Sequence, residues 1–206
     1  MKAPVIWVLV FVLAEQVLLG WAPKADRFTW AMENAPVWIG VLVMVCTWRR
    51  FPLSTLCLML LAIHSLILAV GGHYTYAEVP LGHWAKETFH LSRNHYDRVG
   101  HFAQGFVPAI LVREILTRRV VLRGFTLALL TVACCLAFSA FYELIEWWAA
   151  LWKGEGAAAF LGTQGDVWDT QWDMCLALIG AVTALVTLSW FHDRSIRRLV
   201  AARLFG

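Results

Sequence analysis

Long apolar runs constrain this chain more than anything else in it. A helix must supply roughly 20 residues to cross a hydrocarbon core of about 30 Å. Helices are read at about 3–21, 33–48, 53–72, 97–117, 124–150 and 168–191 of the 206 residues. The chain is 60% hydrophobic and 15% charged, whereas a soluble domain is near half apolar and about a quarter charged. That excess is more than a core can absorb, so lipid is the solvent. A membrane barrel would show short alternating segments instead of continuous runs. The expectation is an all-α, polytopic membrane protein, about six transmembrane helices in a single bundle. With no repeat, low-complexity tract or linker, 1–206 reads as one domain. Pro36 suits the first turn of the short second helix. The run from Ala3 to Leu13 follows Lys2, as in a signal peptide. Glu15 and Gln16 interrupt it and no small-x-small cleavage site follows, so a retained helix is expected.

The basic residues report orientation. Lys2, Arg49 with Arg50, the group Arg113, Arg118, Arg119 and Arg123, and the group Arg194, Arg197, Arg198 and Arg203 fall on one side of a six-helix path. The opposite loops mix Lys24, Arg27, Lys86, Arg93, Arg98 and Lys153 with acids. The positive-inside rule then places both termini in the cytoplasm. A net charge of +3, gathered at helix ends, signals topology and excludes nucleic acid as a partner. Cys46, Cys57, Cys134, Cys135 and Cys175 contain no C-x-x-C pair and read as small buried hydrophobes. On the outer side, W-A-K-E-T-F-H (84–90) fits a short interfacial helix. The Gly-rich loop 151–167 is expected to fold over the membrane surface, and Trp84, Phe89, Tyr96, Trp147, Trp148 and Trp168 suit an interfacial belt. Gly105 and Pro108 mark a kink or a close packing contact.

Ionisable residues within a bilayer are costly, which makes them functional candidates. Here they gather at one depth. His95, Asp97 and His101 stand at the outer start of the fourth helix, Glu143 and Glu146 near the outer end of the fifth, and Asp166, Asp169 and Asp173 at the outer start of the sixth. Asp97 with His101, Asp169 with Asp173, and Glu143 with Glu146 lie three or four residues apart, so each pair shares a helix face. Helical bundles build metal sites from such pairs. So many carboxylates would repel one another, and a divalent metal would resolve the imbalance. Oxygen and imidazole ligation suits Zn, Mn, Fe or Mg alike. The expected ligands are Asp97, His101, Asp169, Asp173 and Glu143. Taken singly, Asp97 and Asp169 also fit first-turn charges that favour the helix dipole, but capping does not account for Asp173, His101 and Glu143 one turn deeper. His64, mid-way along the third helix, and Glu15, in the outer half of the first, are further candidates, although a mid-membrane histidine is more often a packing residue.

The segments Y-D-R-V-G-H-F-A-Q-G-F (96–106), F-Y-E-L-I-E-W (141–147) and G-D-V-W-D-T-Q-W-D-M (165–174) resemble those of the YjdF family of bacterial inner-membrane proteins. That resemblance covers nearly the whole chain. It implies a small polytopic inner-membrane protein of a family without assigned activity. A looser similarity, in the order D-x-x-x-H, then Glu, then D-x-x-x-D, is to the VanZ-like membrane proteins, which are associated with glycopeptide resistance. Asp97, His101, Glu143 or Glu146, Asp169 and Asp173 hold the matching positions.

Two functional classes remain open at this level. One is a metal-dependent membrane hydrolase acting on a lipid or envelope precursor at the outer leaflet. There Glu143 or Glu146 would be the base for a metal-activated water and His64 the proton donor to the leaving group. The alternative is an ion-coupled transporter or a non-enzymatic binding protein. The sequence has neither a G-x-S-x-G motif nor a phosphate loop, so no cofactor beyond a metal is expected.

Overall fold

The computed structural model describes residues 3–153 and 163–204. Lys2 and most of the Gly-rich loop lie outside them. Among the described residues the regular structure is helical: α1 (Ala3–Gly20), α2 (Arg27–Thr47), α3 (Thr55–Tyr74), a 3-10 turn (Tyr76–Glu78), α4 (Pro80–Thr88), α5 (Tyr96–Ile115), a π turn (Leu116–Val120), α6 (Gly124–Lys153) and α7 (Asp169–Leu204).

Helix α2 begins at Arg27, well ahead of the expected boundary at 33. Asp26 is the reason. Its carboxylate accepts from the backbone N–H groups of Phe28 and Thr29 at 3.0 Å each and from the Thr29 hydroxyl at 2.6 Å. That satisfies donors a helix start leaves unpaired. Pro36 therefore lies inside α2 and not in its first turn. The W-A-K-E-T-F-H stretch belongs to α4 and the turn after it; α4 opens on Pro80, whose missing N–H costs nothing there. Trp84 and Phe89 are exposed and meet edge to face, with ring centroids 6.1 Å apart. At the other extreme, α7 meets no helix breaker between Trp190 and Leu204. It runs on for 36 residues, about 54 Å at 1.5 Å per residue.

Among the described residues, four helices are long and apolar enough to cross a membrane: Arg27–Thr47, Thr55–Tyr74, Gly124–Trp152 and Asp169–Arg203. The apolar helix Val5–Gly20 is shorter. Helix α5 has the length but not the apolarity, because Asp97, Arg98, His101, Gln104, Arg113 and Glu114 interrupt it. It has no need of apolarity. It packs on α3, α6 and most closely on α7, so that Asp97, His101, Arg113 and Glu114 are all buried by protein. The residues turned outward on the other helices are Trp7, Leu18, Phe125, Phe138 and Val186. Buried polar groups inside a shell of exposed apolar ones invert the arrangement of a water-soluble fold.

Helices α5 and α7 run parallel and touch backbone to backbone. A Cβ on Gly105 would collide with the carbonyl of Ala177, and one on Gly180 with the carbonyl of Phe102. Ala109, Ala181 and Ala184, all fully buried, continue the seam. Small residues are how helices approach closely when lipid provides no hydrophobic drive, and this seam is the packing contact foreshadowed at Gly105. Replacing Gly105 by Val is expected to destabilise the protein by about 1–3 kcal/mol or more, the range for overpacking. A lowered melting temperature in detergent, compared with an Ala128→Val control, checks it. Cys57 and Cys135 are fully buried and Cys46 is exposed; all five cysteines are free thiols.

Candidate functional site

The two ends of the bundle differ in charge. One, here called the acid end, holds the starts of α5 and α7 and the last turns of α6. The other is rich in arginine.

At the acid end, Asn94 fixes the approach to α5. It is fully buried. Its Oδ1 accepts from the Tyr96 N–H at 3.0 Å, and its Nδ2 donates to the Val79 carbonyl at 3.0 Å. Its backbone exchanges two hydrogen bonds with the Gln164 amide, at 3.1 and 2.9 Å. Three segments are thereby tied at one residue, and Arg93 beside it is turned into the bundle. The Arg93 guanidinium pairs directly with Asp169 and lies 3.6 Å from both Asp97 and Asp166. Arg98 pairs with Asp166 at 2.8 Å and lies over the Trp172 ring at 5.2 Å.

One turn deeper the groups are less well matched. His101 Nε2 stands 3.4 Å from Asp97 Oδ1 and 3.7 Å from Asp173 Oδ2. Its Nδ1 lies 2.9 Å from Gln104 Oε1 and 3.8 Å from Glu143 Oε1. With Gln104 accepting from Nδ1–H, Nε2 is the ring nitrogen that faces the two aspartates. Donor atoms of Asp97, His101 and Asp173 lie within 4.8 Å of one another. Ligands about 2.1 Å from a tetrahedral metal sit roughly 3.4 Å apart. By contrast, 3.4 and 3.7 Å are long for a hydrogen bond. Asp173 Oδ1 and Glu143 Oε1 are buried and meet no hydrogen-bond donor. Buried carboxylate oxygens are seldom left so.

Of the expected ligands, the structure joins Asp97, His101 and Asp173 around one point, whereas Glu143 lies on the other side of the imidazole, 3.8 Å from Nδ1. Asp169 stands a turn above, on Arg93. Glu146 follows Glu143 on α6 and is within electrostatic reach of His101 and Asp97. His64 stands apart. Gly72 of α3 is level with Glu33, and His64 lies eight residues earlier, about 12 Å further from the acid end at 1.5 Å per residue. Its Nε2 is buried without a hydrogen-bond partner. His95, in the turn before α5, is held below the ordinary histidine range by burial first and then by Arg98 and Arg93.

Sequence reasoning missed a wall of the site contributed by α2. Glu33 is buried and accepts from the Tyr142 hydroxyl at 3.0 Å. Opposite it, a Cβ on Gly72 would lie 3.0 Å from Glu33 Cβ and 2.8 Å from Asn34 Nδ2, which is why α3 carries glycine there. Tyr76 lies beside Glu33, and its phenol is pushed well above the ordinary tyrosine range by burial and then by Glu33, Tyr142 and Asp97. It remains a hydrogen-bond donor. A helix starting at 33 makes Glu33 an end residue, whereas a start at Arg27 places it two turns inside. Recognising Asp26 as a cap would have found it. Among the described residues, Glu33, Asp97, Glu143, Glu146, Asp166, Asp169 and Asp173 have Arg93 and Arg98 as the cations beside them, with His101 a third when protonated. The parallel N-termini of α5 and α7 offset part of that excess through their dipoles.

The arginine-rich end holds a second buried cluster, also unforeseen. The carboxylate of Glu114, fully buried, accepts from the Ser54 N–H at 2.8 Å, the Ser54 hydroxyl at 2.6 Å, His192 Nε2 at 3.0 Å and the Arg118 guanidinium. Arg113 Nη1 lies 3.1 Å from His192 Nδ1 and 2.7 Å from Asp193 Oδ1. Arginine can only donate, so Nδ1 is the acceptor and the imidazole hydrogen sits on Nε2, facing Glu114. Every partner is matched. This cluster is a clasp joining α3, α5 and α7, whereas the acid end holds carboxylate oxygens without donors.

The family described as "Predicted membrane protein (DUF2238)" matches residues 4–194. The inner membrane protein YjdF of Escherichia coli (strain K12) is 54% identical over 174 residues, which span 84% of this chain and 83% of that protein. No solved structure matches.

Proposed function

Since the chain belongs to the DUF2238 family of predicted membrane proteins, we propose that it is a multi-pass inner-membrane protein whose acid end binds a divalent cation through Asp97, His101 and Asp173. In this reading α1, α2, α3, α5, α6 and α7 cross the membrane, α5 being shielded from lipid by its neighbours. The arginine-rich end lies in the cytoplasm and the acid end in the periplasm. One observation carries the cation: His101 Nε2 faces two aspartate oxygens at 3.4 and 3.7 Å, spacings that suit shared ligation better than hydrogen bonding. Gln104, on the other imidazole nitrogen, has the place of an outer partner that orients a histidine ligand. Zn, Mn, Fe and Mg all fit a mixed oxygen and imidazole set.

The activity that fits such a centre is hydrolysis of a lipid or envelope precursor. A bound metal would supply an activated water. Glu143, whose Oε1 meets no hydrogen-bond donor, would be the base that takes a proton, with Glu146 one turn further along α6 as the alternative. A second reading is cation binding coupled to transport. It draws on Glu33, Asn34, Gln16 and Glu15, buried polar residues of α1 and α2 that extend polarity beyond α5 to α7.

The test is metal content. Purified protein is expected to hold about one equivalent of a divalent metal, as a single three-ligand centre requires, and Asp173→Asn to lose most of it. Wild-type protein that stays metal-free after incubation with each of the four ions overturns the reading.

A further inference from the structure

Glu15 is the buried ionisable group that neither cluster uses. It lies on α1 and is 6% exposed. Neither of its carboxylate oxygens meets a hydrogen-bond donor. The hydrogen bonds of the donors near it run elsewhere. The adjacent Gln16 gives one of its two amide hydrogens to Asn34 Oδ1 at 2.9 Å and takes the Trp38 indole N–H on its Oε1 at 2.8 Å. Ser65 of α3 faces Glu15, but its hydroxyl hydrogen goes to the Ala62 carbonyl at 2.9 Å. Ser65 therefore offers Glu15 an oxygen lone pair and no hydrogen. An ionised carboxylate has four acceptor sites and needs donors, whereas a carboxylic acid has one O–H and needs an acceptor. The surroundings of Glu15 match the acid.

No cation stands in for the missing donors. On the elements beside α1 the titratable residues are Arg27, Glu33 and Cys46 of α2 and Cys57, His64, His73 and Tyr74 of α3; Arg27, the permanent cation among them, is exposed at the start of α2, about two turns before Asn34. His73 Nδ1 is engaged by the Leu19 carbonyl at 2.7 Å. His64 Nε2 is buried and has no hydrogen-bond partner. Glu33 is an acid already engaged by Tyr142. Burying a lone charge in an apolar interior is so unfavourable that the group neutralises instead.

We propose that Glu15 with Ser65 forms a second site, separate from the acid–histidine cluster, whose ligand is a proton. Glu15 holds it as a carboxylic acid, donating to Ser65 Oγ. The Gln16–Asn34 hydrogen bond fixes α1 against α2, so this protonated acid stands beside the helix that carries Glu33. The site is independent of any metal at Asp97, His101 and Asp173.

A membrane-permeant carbodiimide tests this, because such reagents react with a carboxylic acid and not with its anion. The acid O–H adds across one C=N bond, the proton going to nitrogen and the oxygen to carbon. The product rearranges to a stable acylurea with no atom lost. Full-length protein in detergent is treated with dicyclohexylcarbodiimide and mapped by peptide mass. The expected result is an adduct on Glu15 that is absent in Glu15→Gln, with a yield falling about tenfold per pH unit once the site ionises. Ser65→Ala, which removes the acceptor, should move that fall to lower pH. Glu15→Gln should melt at or above the wild-type temperature, since an amide mimics the neutral acid. Absence of an adduct on Glu15, or labelling indifferent to pH, overturns the proposal. If the cation reading fails, the protein is metal-free while Glu15 labelling persists, so the two failures are distinct.

Discussion

Glu114→Gln is expected to unfold much of the protein population at temperatures where the wild type is intact. The two side chains have nearly the same shape, but every partner of Glu114 is a donor: the Ser54 N–H and hydroxyl, His192 Nε2 and Arg118. An amide would turn one NH2 group toward a donor and remove the charge that balances Arg118. His192 cannot adapt by changing tautomer, because Arg113 holds its Nδ1 as an acceptor. Breaking one partner of a buried ionic group typically costs about 3–5 kcal/mol. A thermal melt in detergent checks this, and a Glu114→Gln melting temperature within a degree or so of wild type would show the clasp to be dispensable. Divalent cations should not rescue this variant.

Arg93→Met is expected to destabilise by a comparable amount, yet to respond to cations in the opposite way. Arg93 is the positive charge shared by Asp97, Asp166 and Asp169, with Arg98 on Asp166 alone, and its loss leaves Asp97 and Asp169 to repel each other in a buried setting. A divalent cation can take over that compensation. At a hundred times its dissociation constant, a ligand that binds only the folded state stabilises it by about 2.7 kcal/mol. Melting curves of Arg93→Met with a chelator and then with rising divalent cation should therefore converge on the wild type, while those of the double variant Arg93→Met/Asp173→Asn should not. Equal responses in the two variants would mean that the cation acts elsewhere.

These contrasting responses follow from what could and could not be read in the residues. The acid end was legible because its members repeat at helical spacing: Asp97 with His101, Glu143 with Glu146, Asp169 with Asp173. Charge placed by topology at one depth needs no knowledge of packing. Glu33 is hidden in a helix read from 33, where it is an end residue; the cap at Asp26 starts the helix six residues earlier and turns Glu33 into an interior position. Glu114 and His192 were hidden for a different reason. Glu114 lies among Arg113, Arg118 and Arg119, residues that read as a topological marker, and nothing in spacing links position 114 to position 192. Pairing across that distance depends on the close approach of α5 and α7, which the glycines permit but do not announce. Helix α5 was legible through its motif and illegible through its hydropathy, because its neighbours and not lipid surround it.

The buried setting of α5 bears on how the chain reaches its final state. An isolated segment carrying Asp97, Arg98, His101, Arg113 and Glu114 would not partition into a bilayer on its own, since charged residues are penalised by a few kcal/mol each near the centre of a spanning helix. Biogenesis is then collective. If α5 spans the membrane as proposed above, this segment would enter lipid together with α6 and α7, and the glycine seam between α5 and α7 would double as the docking guide.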